Sequence, residues 1–347
     1  MKYRRLGQSD LLVSEIGLGT MTWGTQNSQA EAFRQLDMAV DRGVNFIDAG
    51  EMYPIPPGPE TVGLTERIIG DWLTARGGRD KLVIAGKAVG KATKKLPFHR
   101  GGTARLDRRS ITAYVDEALQ RLRTDYLDLL QSHWPDRSVN VFGQRYYRHE
   151  PEEDGTPLLE MLDAMTDLVK NGKVRAIGVS NETPWGLMTL LRLAEQHRLA
   201  RPAAIQNPYN LINRTLELGL SEIILRENCG LMAYSPLAFG VLTGKYVGGA
   251  RPPGTRMTRY PEYTRYIGEQ AQPAIDAYVE LAARWGLDPA QMAIAFACAQ
   301  PFVTSVIIGA TSDAQLAANL AAADLPLPHA LCSEIEALSL AYPDPCV

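Results

Sequence analysis

The sequence has few cysteines, no long apolar run and almost no excess of either charge. Its four cysteines are far apart in 347 residues and form no C-x-x-C pair, so we expect neither a disulfide framework nor a cysteine zinc site. No stretch reaches the roughly 20 apolar residues that a membrane-spanning helix needs. Lys and Arg number 36 and Asp and Glu 39, and the net charge of -3 gives no general attraction to nucleic acid or anionic membrane.

The first residues also lack the features of a secretory signal. Met1 to Arg5 are basic, but no apolar segment follows them. With 45% hydrophobic and 22% charged residues, the composition is typical of a folded globular protein. We therefore expect a cytoplasmic protein whose cysteines are reduced thiols. The length fits either two average domains or one large one.

Short apolar runs rich in β-branched residues alternate with amphipathic helical stretches. Ile111, Val115, Leu119 and Leu122, for example, recur at helical spacing. Strands that are buried on both faces and alternate with helices indicate a parallel sheet. Eight such units favour a closed barrel over an open doubly wound sheet. We predict an α/β fold, a single (β/α)8 TIM barrel domain over residues 1–347, with strands at 16–19, 44–47, 82–85, 126–130, 174–179, 203–206, 231–234 and 305–308.

Other segments of the chain fall outside this alternation. Residues 2–6 and 11–14 flank Gly7-Gln8-Ser9-Asp10, which predicts an N-terminal β-hairpin that caps the bottom of the barrel. Residues 90–107, 134–155 and 246–268 predict three long loops. All three follow strand ends, at the C-terminal face where barrels build their sites.

Polar residues follow three successive predicted strands. Asp48 and Tyr53 come after the second strand, Lys87 after the third and His133 after the fourth. Each alone has an ordinary explanation, such as a helix cap, a surface charge or a packed side chain. Together they would bring a carboxylate, a phenol, an ammonium and an imidazole to one rim of the barrel.

That combination suits proton transfer to a carbonyl group. A phenol has a reference pKa of about 10, too high for an ideal acid or base near neutrality. A neighbouring ammonium, that of Lys87, would lower the pKa of Tyr53, and Asp48 would be the counter-charge. His133 could orient or polarise the carbonyl oxygen. We therefore expect Tyr53 to be the proton donor.

The same residues stand in motifs that resemble the aldo-keto reductase superfamily. The motifs are Asn45-Phe46-Ile47-Asp48 with Tyr53 at D-x4-Y spacing, Gly86-Lys87 and Ser132-His133-Trp134. The resemblance extends over residues 3–319 and implies a catalytic tetrad of Asp48, Tyr53, Lys87 and His133, with NADPH as cofactor.

Within the superfamily the closest likeness is to the Tas-like bacterial branch. Its marks here are Glu51-Met52-Tyr53-Pro54, Pro59-Glu60-Thr61 and Gln206-Asn207-Pro208-Tyr209. More distantly, the chain is similar to voltage-gated potassium channel β subunits, which share the barrel and the cofactor site.

A nicotinamide cofactor site is indicated by other segments. Gly17-x-Gly19 is only part of a dinucleotide fingerprint, so a Rossmann domain is not expected. Residues 233–246 instead resemble the family's pyrophosphate loop across the barrel mouth. The resemblance implies that Tyr234 stacks on the nicotinamide ring and that the diphosphate is held by Ser235, Pro236, Leu237, Gly240 and Lys245. Residues that resemble those gripping the nicotinamide carboxamide are Ser180, Asn181 and Gln206.

The remaining cofactor contacts come from both ends of the chain. A segment resembling the site for the 2′-phosphate and adenine contains Gly309, Thr311, Gln315 and Asn319. Related sequences often have an acidic residue where this chain has Ala318. Arg256 is our choice for a second phosphate ligand, with Arg251 and Arg259 as alternatives. The predicted set is completed by Gly19, Thr20, Met21 and Asp48.

These observations favour NADPH-dependent reduction of an aldehyde or ketone, with substrate contacts from Trp23, Tyr53, His133 and Trp134 and no metal. An aromatic wall favours an apolar or aromatic aldehyde over a sugar.

Two other hypotheses stay open. One is an NADPH-binding redox-sensing or regulatory protein with little turnover, and the other is a barrel enzyme of unrelated chemistry, such as a lyase or isomerase. We expect no nucleic-acid or membrane partner, and a homo-oligomer remains open.

Overall fold

The computed structural model describes residues 1–91, 96–151 and 154–346, in which eight parallel strands close a barrel. The short strands β1 (Tyr3–Arg5) and β2 (Leu12–Ser14) precede it and pair antiparallel. The barrel strands are β3 (Ile16–Gly19), β4 (Phe46–Asp48), β5 (Val83–Ala88), β6 (Leu127–Ser132), β7 (Val174–Ser180), β8 (Ala204–Pro208), β9 (Gly230–Tyr234) and β10 (Val303–Ile308). They follow one another around the barrel in chain order, and β10 pairs with β3 to close it.

Helices pack around the outside of the barrel. They are α1 (Gln29–Asp41), α2 (Leu64–Arg76), α3 (Arg108–Leu122), α4 (Leu158–Lys170), α5 (Pro184–His197), α6 (Leu220–Arg226), α7 (Arg256–Arg259), α8 (Ala271–Arg284), α9 (Pro289–Ala299), α10 (Asp313–Ala321) and α11 (His329–Ala341). Several begin at side-chain caps, such as Ser28 before α1 and Asp107 before α3. Within the described ranges, no helix is both long and apolar enough to cross a membrane.

The predicted barrel is confirmed, and the differences are at strand ends. The second predicted strand, at 44–47, is shifted toward the C-terminus, so that Asp48 is the last residue of β4. The third predicted strand, at 82–85, is too short, and Lys87 lies inside β5 rather than after it. A lysine was not expected inside a buried strand because an ammonium must be paired there. An apolar sequence pattern therefore predicts strand ends poorly, because polar site residues begin before the backbone pairing stops.

The three predicted loops lie mostly outside regular structure. The loop at 246–268 contains the short helix α7 and a 3-10 turn, Val247–Gly249, and the described part of the loop at 90–107 contains the 3-10 turn His99–Gly102. Residues 92–95 and 152–153, which belong to the first and second predicted loops, lie outside the described residues.

The predicted N-terminal hairpin is present and packs against the bottom of the barrel. Leu6 and Leu11 are fully buried against residues that point into the barrel, among them Phe46, Leu129 and Met232. Gly7 has φ 55°, and a Cβ there would lie 2.2 Å from the Ala203 carbonyl oxygen, just before β8 begins. Only glycine tolerates that close approach in a left-handed conformation. The hairpin thus closes the end of the barrel opposite the C-terminal rim.

The hairpin provides a matched pair of leucines that tests this closure. Leu6 has no exposed surface, whereas Leu12 on β2 is 53% exposed. We expect Leu6→Ala to lower the free energy of unfolding by about 2–5 kcal/mol, because it leaves a cavity. We expect Leu12→Ala to change it by no more than about 0.5 kcal/mol. Urea unfolding of both variants measures the difference, and equal effects would contradict a buried role for the hairpin.

Candidate active site

The four predicted catalytic residues meet at the C-terminal rim, on neighbouring strands. Asp48 ends β4, Lys87 is the last residue but one of β5, and His133 directly follows β6. Strands β4, β5 and β6 are successive neighbours in the sheet, so their ends are adjacent. Tyr53 lies on the loop that leaves β4, and all four side chains are buried.

Lys87 and Asp48 form a buried ion pair at the centre of this group. The Lys87 ammonium donates to Asp48 Oδ1 at 2.6 Å and to the Ala49 carbonyl oxygen at 2.7 Å. Gln206 on β8 donates to the same Asp48 oxygen at 2.8 Å. Burial lowers the pKa of Lys87 from its usual value, and Asp48 opposes that shift. The carboxylate therefore favours the charged ammonium in a place without solvent.

Tyr53 lies beside this pair, with the Lys87 Nζ 4.9 Å from its ring centroid. Burial raises the pKa of Tyr53 well above its usual value, and Asp48 raises it further. The expectation that Lys87 lowers this pKa is therefore wrong for the protein as described. The ammonium points at Asp48, so its charge is neutralised there, and burial of the phenol dominates. The phenol is protonated throughout the neutral pH range.

His133 contacts both Tyr53 and an aromatic wall. Its ring centroid lies 5.6 Å from that of Tyr53, edge to face, and 4.9 Å from that of Trp134. Burial lowers the pKa of His133 well below its usual value, with Lys87 adding to the shift, so the imidazole is neutral. Its Nδ1 is buried and has no hydrogen-bond partner within the part of the chain that the structure describes.

The three residues predicted to grip a carboxamide lie at the ends of β7 and β8 and already contact one another. The Ser180 hydroxyl donates to the Gln206 carbonyl oxygen at 2.8 Å. The amide nitrogen of Asn181 donates to the His133 carbonyl oxygen at 2.8 Å and to the Ser180 hydroxyl at 3.1 Å. The Tyr234 hydroxyl donates to Asn181 Oδ1 at 2.6 Å. Asn181 therefore joins the end of β9 to the loop that carries His133.

The predicted pyrophosphate loop follows β9 and has an unusual backbone. Ser235, Ala238 and Phe239 all have φ between 47° and 58°, in the left-handed region, and Gly240 has φ 91°. Non-glycine residues adopt such angles mainly where the surrounding structure imposes them, often at functional sites. Asn210 donates to the Ser235 carbonyl oxygen at 3.0 Å and holds the loop in place. The other predicted members, Pro236, Leu237 and Lys245, lie in or next to this loop.

Of the three candidate arginines for a phosphate, Arg256 is partly buried and the other two are exposed. Its guanidinium lies 4.0 Å from the Phe239 ring centroid and 5.4 Å from that of Tyr263. Burial lowers the pKa of Arg256. Its Nε has no hydrogen-bond partner among the residues described. Arg251 and Arg259 are exposed.

The residues predicted for the 2′-phosphate and adenine lie at the start of α10, where they bind one another. The backbone N–H and hydroxyl of Thr311 both donate to Gln315 Oε1, at 3.0 and 3.1 Å. Asn319 donates to the Gly309 carbonyl oxygen at 3.3 Å. Ser312 caps the helix by accepting from the Gln315 backbone N–H. Thr311 and Ser312 are exposed at a helix N-terminus, an environment that favours anions.

The last predicted cofactor residues follow β3. The Thr20 hydroxyl donates to the Asp48 carbonyl oxygen at 2.8 Å, next to the ion pair. The Met21 carbonyl oxygen accepts from the Ile55 N–H at 2.8 Å and so anchors the loop that carries Tyr53. Gly19 is the last residue of β3 and packs against Ile308 on β10.

Trp23, predicted to line the substrate pocket, lies elsewhere. Its side chain has no exposed surface, and its indole N–H donates to Gln35 on α1 at 2.9 Å. It belongs to the core between the barrel and the helices, so this prediction is wrong. A tryptophan near a strand end can serve core or pocket equally well, and the sequence does not distinguish them. Trp134, by contrast, lies against His133 and Phe142.

Sequence reasoning missed several residues near the site. Gln131 on β6 is fully buried and accepts from Gln206 at 3.4 Å, while its own Nε2 has no partner within the described ranges. Arg265, in the loop at 246–268, donates to the Tyr234 hydroxyl at 3.3 Å. A polar residue inside an apolar strand was a usable signal for Gln131. Arg265 had no such signal, since arginines are common in loops.

Comparison with known proteins agrees with this architecture. The model of the aldo/keto reductase family matches residues 15–340. The chain therefore belongs to the aldo/keto reductase family, and it is an oxidoreductase that acts on carbonyl compounds.

Three relatives illustrate the range of similarity. The chain is 50% identical over 345 residues to protein tas of Escherichia coli (strain K12), covering 99% of both chains. It is 38% identical over 253 residues to an aldo-keto reductase of Babesia bovis, covering 69% of this chain and 88% of that protein. It is 31% identical over 334 residues to the uncharacterised oxidoreductase YrpG of Bacillus subtilis (strain 168), covering 94% and 92%. The likeness to the Tas-like branch is thus confirmed.

The buried Lys87–Asp48 pair leads to a stability prediction. Lys87→Met leaves a buried carboxylate without its counter-charge, so we expect it to lower the free energy of unfolding by about 3–5 kcal/mol. Adding Asp48→Asn removes the unpaired charge and should restore part of that loss. Urea unfolding of the two single variants and the double variant measures the coupling. Strictly additive losses would contradict a direct interaction between the two charges.

Proposed function

We propose that this protein reduces an aldehyde or ketone to the alcohol with NADPH as hydride donor and Tyr53 as proton donor. The observation that carries the proposal is the position of the Tyr53 phenol between a buried ammonium–carboxylate pair and a neutral imidazole. Family membership supports carbonyl chemistry in general. The contacts of these four side chains support the finer assignment.

The residues around the barrel mouth suit a polyanionic cofactor. Between residues 245 and 265 the chain carries Lys245, Arg251, Arg256, Arg259 and Arg265, against a single acidic residue, Glu262. The Arg256 guanidinium lies against aromatic rings with its Nε unpartnered among the described residues, so it has capacity for a further acceptor. Cationic side chains near exposed backbone N–H groups are a common environment for phosphate oxygens.

Each part of the cofactor would have its own group of ligands. The Tyr234 ring would lie against the nicotinamide, fixed by the bond from its hydroxyl to Asn181. The left-handed loop from Ser235 to Gly240, with Lys245, would hold the diphosphate. The start of α10 and Arg256 would hold the 2′-phosphate and adenine. When bound, NADPH would supply the hydride that adds to the carbonyl carbon.

The protein's own contribution is proton transfer and charge stabilisation. The raised pKa of Tyr53 keeps the phenol protonated, as a proton donor requires. As the carbonyl oxygen gains negative charge, it takes the Tyr53 proton, while the Lys87 ammonium stays paired with Asp48 beside the Tyr53 ring. The neutral His133 ring orients the carbonyl oxygen beside Tyr53. Unpaired cysteines fit a reducing, cytoplasmic setting for this chemistry.

Tyr53→Phe tests the proton donor. The variant keeps the ring but loses the acidic hydroxyl, so we expect kcat to fall by about 100-fold or more. The NADPH dissociation constant should stay nearly unchanged, because the ring still fills its place. Steady-state kinetics with an aldehyde and fluorescence titration with NADPH give the two values. If Tyr53→Phe keeps its turnover but loses NADPH binding, the role of proton donor is refuted. If the wild-type protein binds NADPH but turns over no aldehyde, a regulatory protein is favoured.

The 2′-phosphate assignment predicts a preference between cofactors. Quenching of protein fluorescence should show tighter binding of NADPH than of NADH. Arg256→Met should weaken NADPH binding by about 10-fold or more, since a hydrogen bond to a charged group is worth roughly 1.5–3 kcal/mol, and should leave NADH binding almost unchanged. Arg259→Met and Arg251→Met are matched controls on the same loop. A larger loss in either control would reassign the phosphate ligand, and equal binding of both cofactors would overturn the NADPH preference.

A further inference from the structure

A buried carboxylate lies two residues before Tyr53 and takes no part in the chemistry described above. Glu51 is 2% exposed, and its backbone N–H donates to the Lys87 carbonyl oxygen at 3.0 Å. Its Oε2 accepts from the Val89 N–H at 2.8 Å. Its Oε1 lies 3.0 Å from the His99 Nε2. This carboxylate therefore connects the loop that carries Tyr53 to the end of β5 and the loop beyond it.

Arg100 completes the contact from the loop between β5 and α3. Its Nε and Nη2 both donate to Glu51 Oε1, at 2.8 and 2.5 Å. The same guanidinium contacts Glu117 on α3 at 3.2 and 3.1 Å. Arg100 has φ 46°, a left-handed conformation that arginine adopts at a cost. That conformation at the tip of the turn is consistent with a backbone held by the two carboxylates.

The charge state of Glu51 favours a permanent pair. Burial alone would raise the pKa of Glu51, but His99 and Arg100 lower it below its usual value. The carboxylate is therefore ionised at neutral pH. A buried ion pair costs desolvation, so it adds little net stability relative to apolar residues, and its more distinctive effect is to fix the geometry of what it joins.

The residues that flank this ion pair pack on an apolar cluster that forms a wall and meets His133 through Trp134. Met52 follows Glu51, and Phe98 precedes His99. Both pack on a cluster that includes Trp134, whose ring lies 4.9 Å from that of His133. The other members of the cluster are Val89, Leu96 and Ala104.

The β5–α3 loop also passes very close to the Trp134 indole. A Cβ on Gly90 would lie 2.9 Å from the indole Cδ1 and Nε1. Gly90 is the second residue after β5, so the loop meets this ring as soon as it leaves the barrel. A side chain at this position would push the loop away from the wall.

We propose that the Glu51–Arg100 ion pair is a specificity-determining contact that holds Met52 and Phe98 against Trp134, making the wall of a subsite for aldehydes that carry an aromatic ring. This inference rests on the proposed carbonyl reduction at Tyr53. A small aliphatic aldehyde reaches Tyr53 and His133 without needing the wall. An aromatic aldehyde gains binding energy from it, so loss of the ion pair affects the two substrates differently.

The test compares 4-nitrobenzaldehyde with propanal, using NADPH and the full chain. We expect Arg100→Met to raise KM for 4-nitrobenzaldehyde by about 10-fold or more, since lost apolar contacts in a pocket are worth that much. KM for propanal should change by no more than about twofold, because an unchanged Tyr53 leaves the chemistry intact. Arg100→Lys, which retains the charge, should recover part of the selectivity. Glu117→Gln is the matched control, because it removes the other carboxylate that Arg100 contacts. The Glu117 side chain is 47% exposed.

A double variant separates specificity from misfolding. Arg100→Met leaves the buried Glu51 carboxylate without its guanidinium partner, whereas Glu51→Gln with Arg100→Met removes both charges. The double variant should fold and show the same selective rise in KM for 4-nitrobenzaldehyde. The proposal would be overturned by any of four results. They are an equal rise in KM for both aldehydes, a fall in kcat alone, no change in either constant, and an equal effect of Glu117→Gln.

The wild-type protein distinguishes this inference from the function on which it depends. Turnover of propanal with NADPH tests carbonyl reduction by itself, whatever the ion pair does. If the wild type turns over neither aldehyde, the proposed function fails, and calorimetric titration with 4-nitrobenzyl alcohol then tests the wall without turnover. Weaker binding of that alcohol to Arg100→Met than to Glu117→Gln would support the wall, and equal binding would refute it.

Discussion

The buried pair of Lys87 and Asp48 is the interaction on which the rest of the site depends. A fully buried ammonium is unfavourable by itself, so the fold must bring a carboxylate to it. The barrel does this by placing the ends of β4 and β5 side by side, while Gln206 reaches the same carboxylate from β8. The pair then determines its surroundings: its carboxylate helps keep the phenol of Tyr53 protonated, and its ammonium helps keep His133 neutral. Burial and this ion pair thus act in the same direction on the protonation states of Tyr53 and His133.

The barrel could be predicted from the sequence because its signals are local and repeated. Each strand is a short apolar run, and alternation with helices leaves few topologies. Asp48, Tyr53, Lys87 and His133 could be selected because they follow or end such runs. Trp23 and the direction of the pKa shift of Tyr53 could not be predicted, because both depend on burial in three dimensions. The same sequence is compatible with Trp23 in the core or in the pocket. It is also compatible with a Lys87 ammonium directed at Tyr53 or at Asp48.

The contacts of the rim loops could not be predicted from the sequence either. Glu51 and Arg100 are 49 residues apart, and Tyr234 and Asn181 are 53 apart, so no local pattern relates them. In the structure they play similar parts on different sides of the mouth: each joins two loops that leave different strands. Asn181 can do this because it adopts a left-handed backbone angle, φ 54°, that turns its amide toward both neighbours. Long loops at the rim are thereby held to the rigid strands by polar contacts as well as by apolar packing.

The N-terminal hairpin limits the routes by which small molecules can reach the site. Leu6 and Leu11 pack into one end of the barrel, so among the described residues that end is closed, and Lys87 and Asp48 lie at the opposite end. In the proposed reaction, a small molecule would reach Lys87 and Asp48 from the C-terminal rim, and so would a proton that replaces one lost from Tyr53. The proposed cofactor, bound across the mouth, would shield the ion pair from bulk solvent, and its release would expose the pair again.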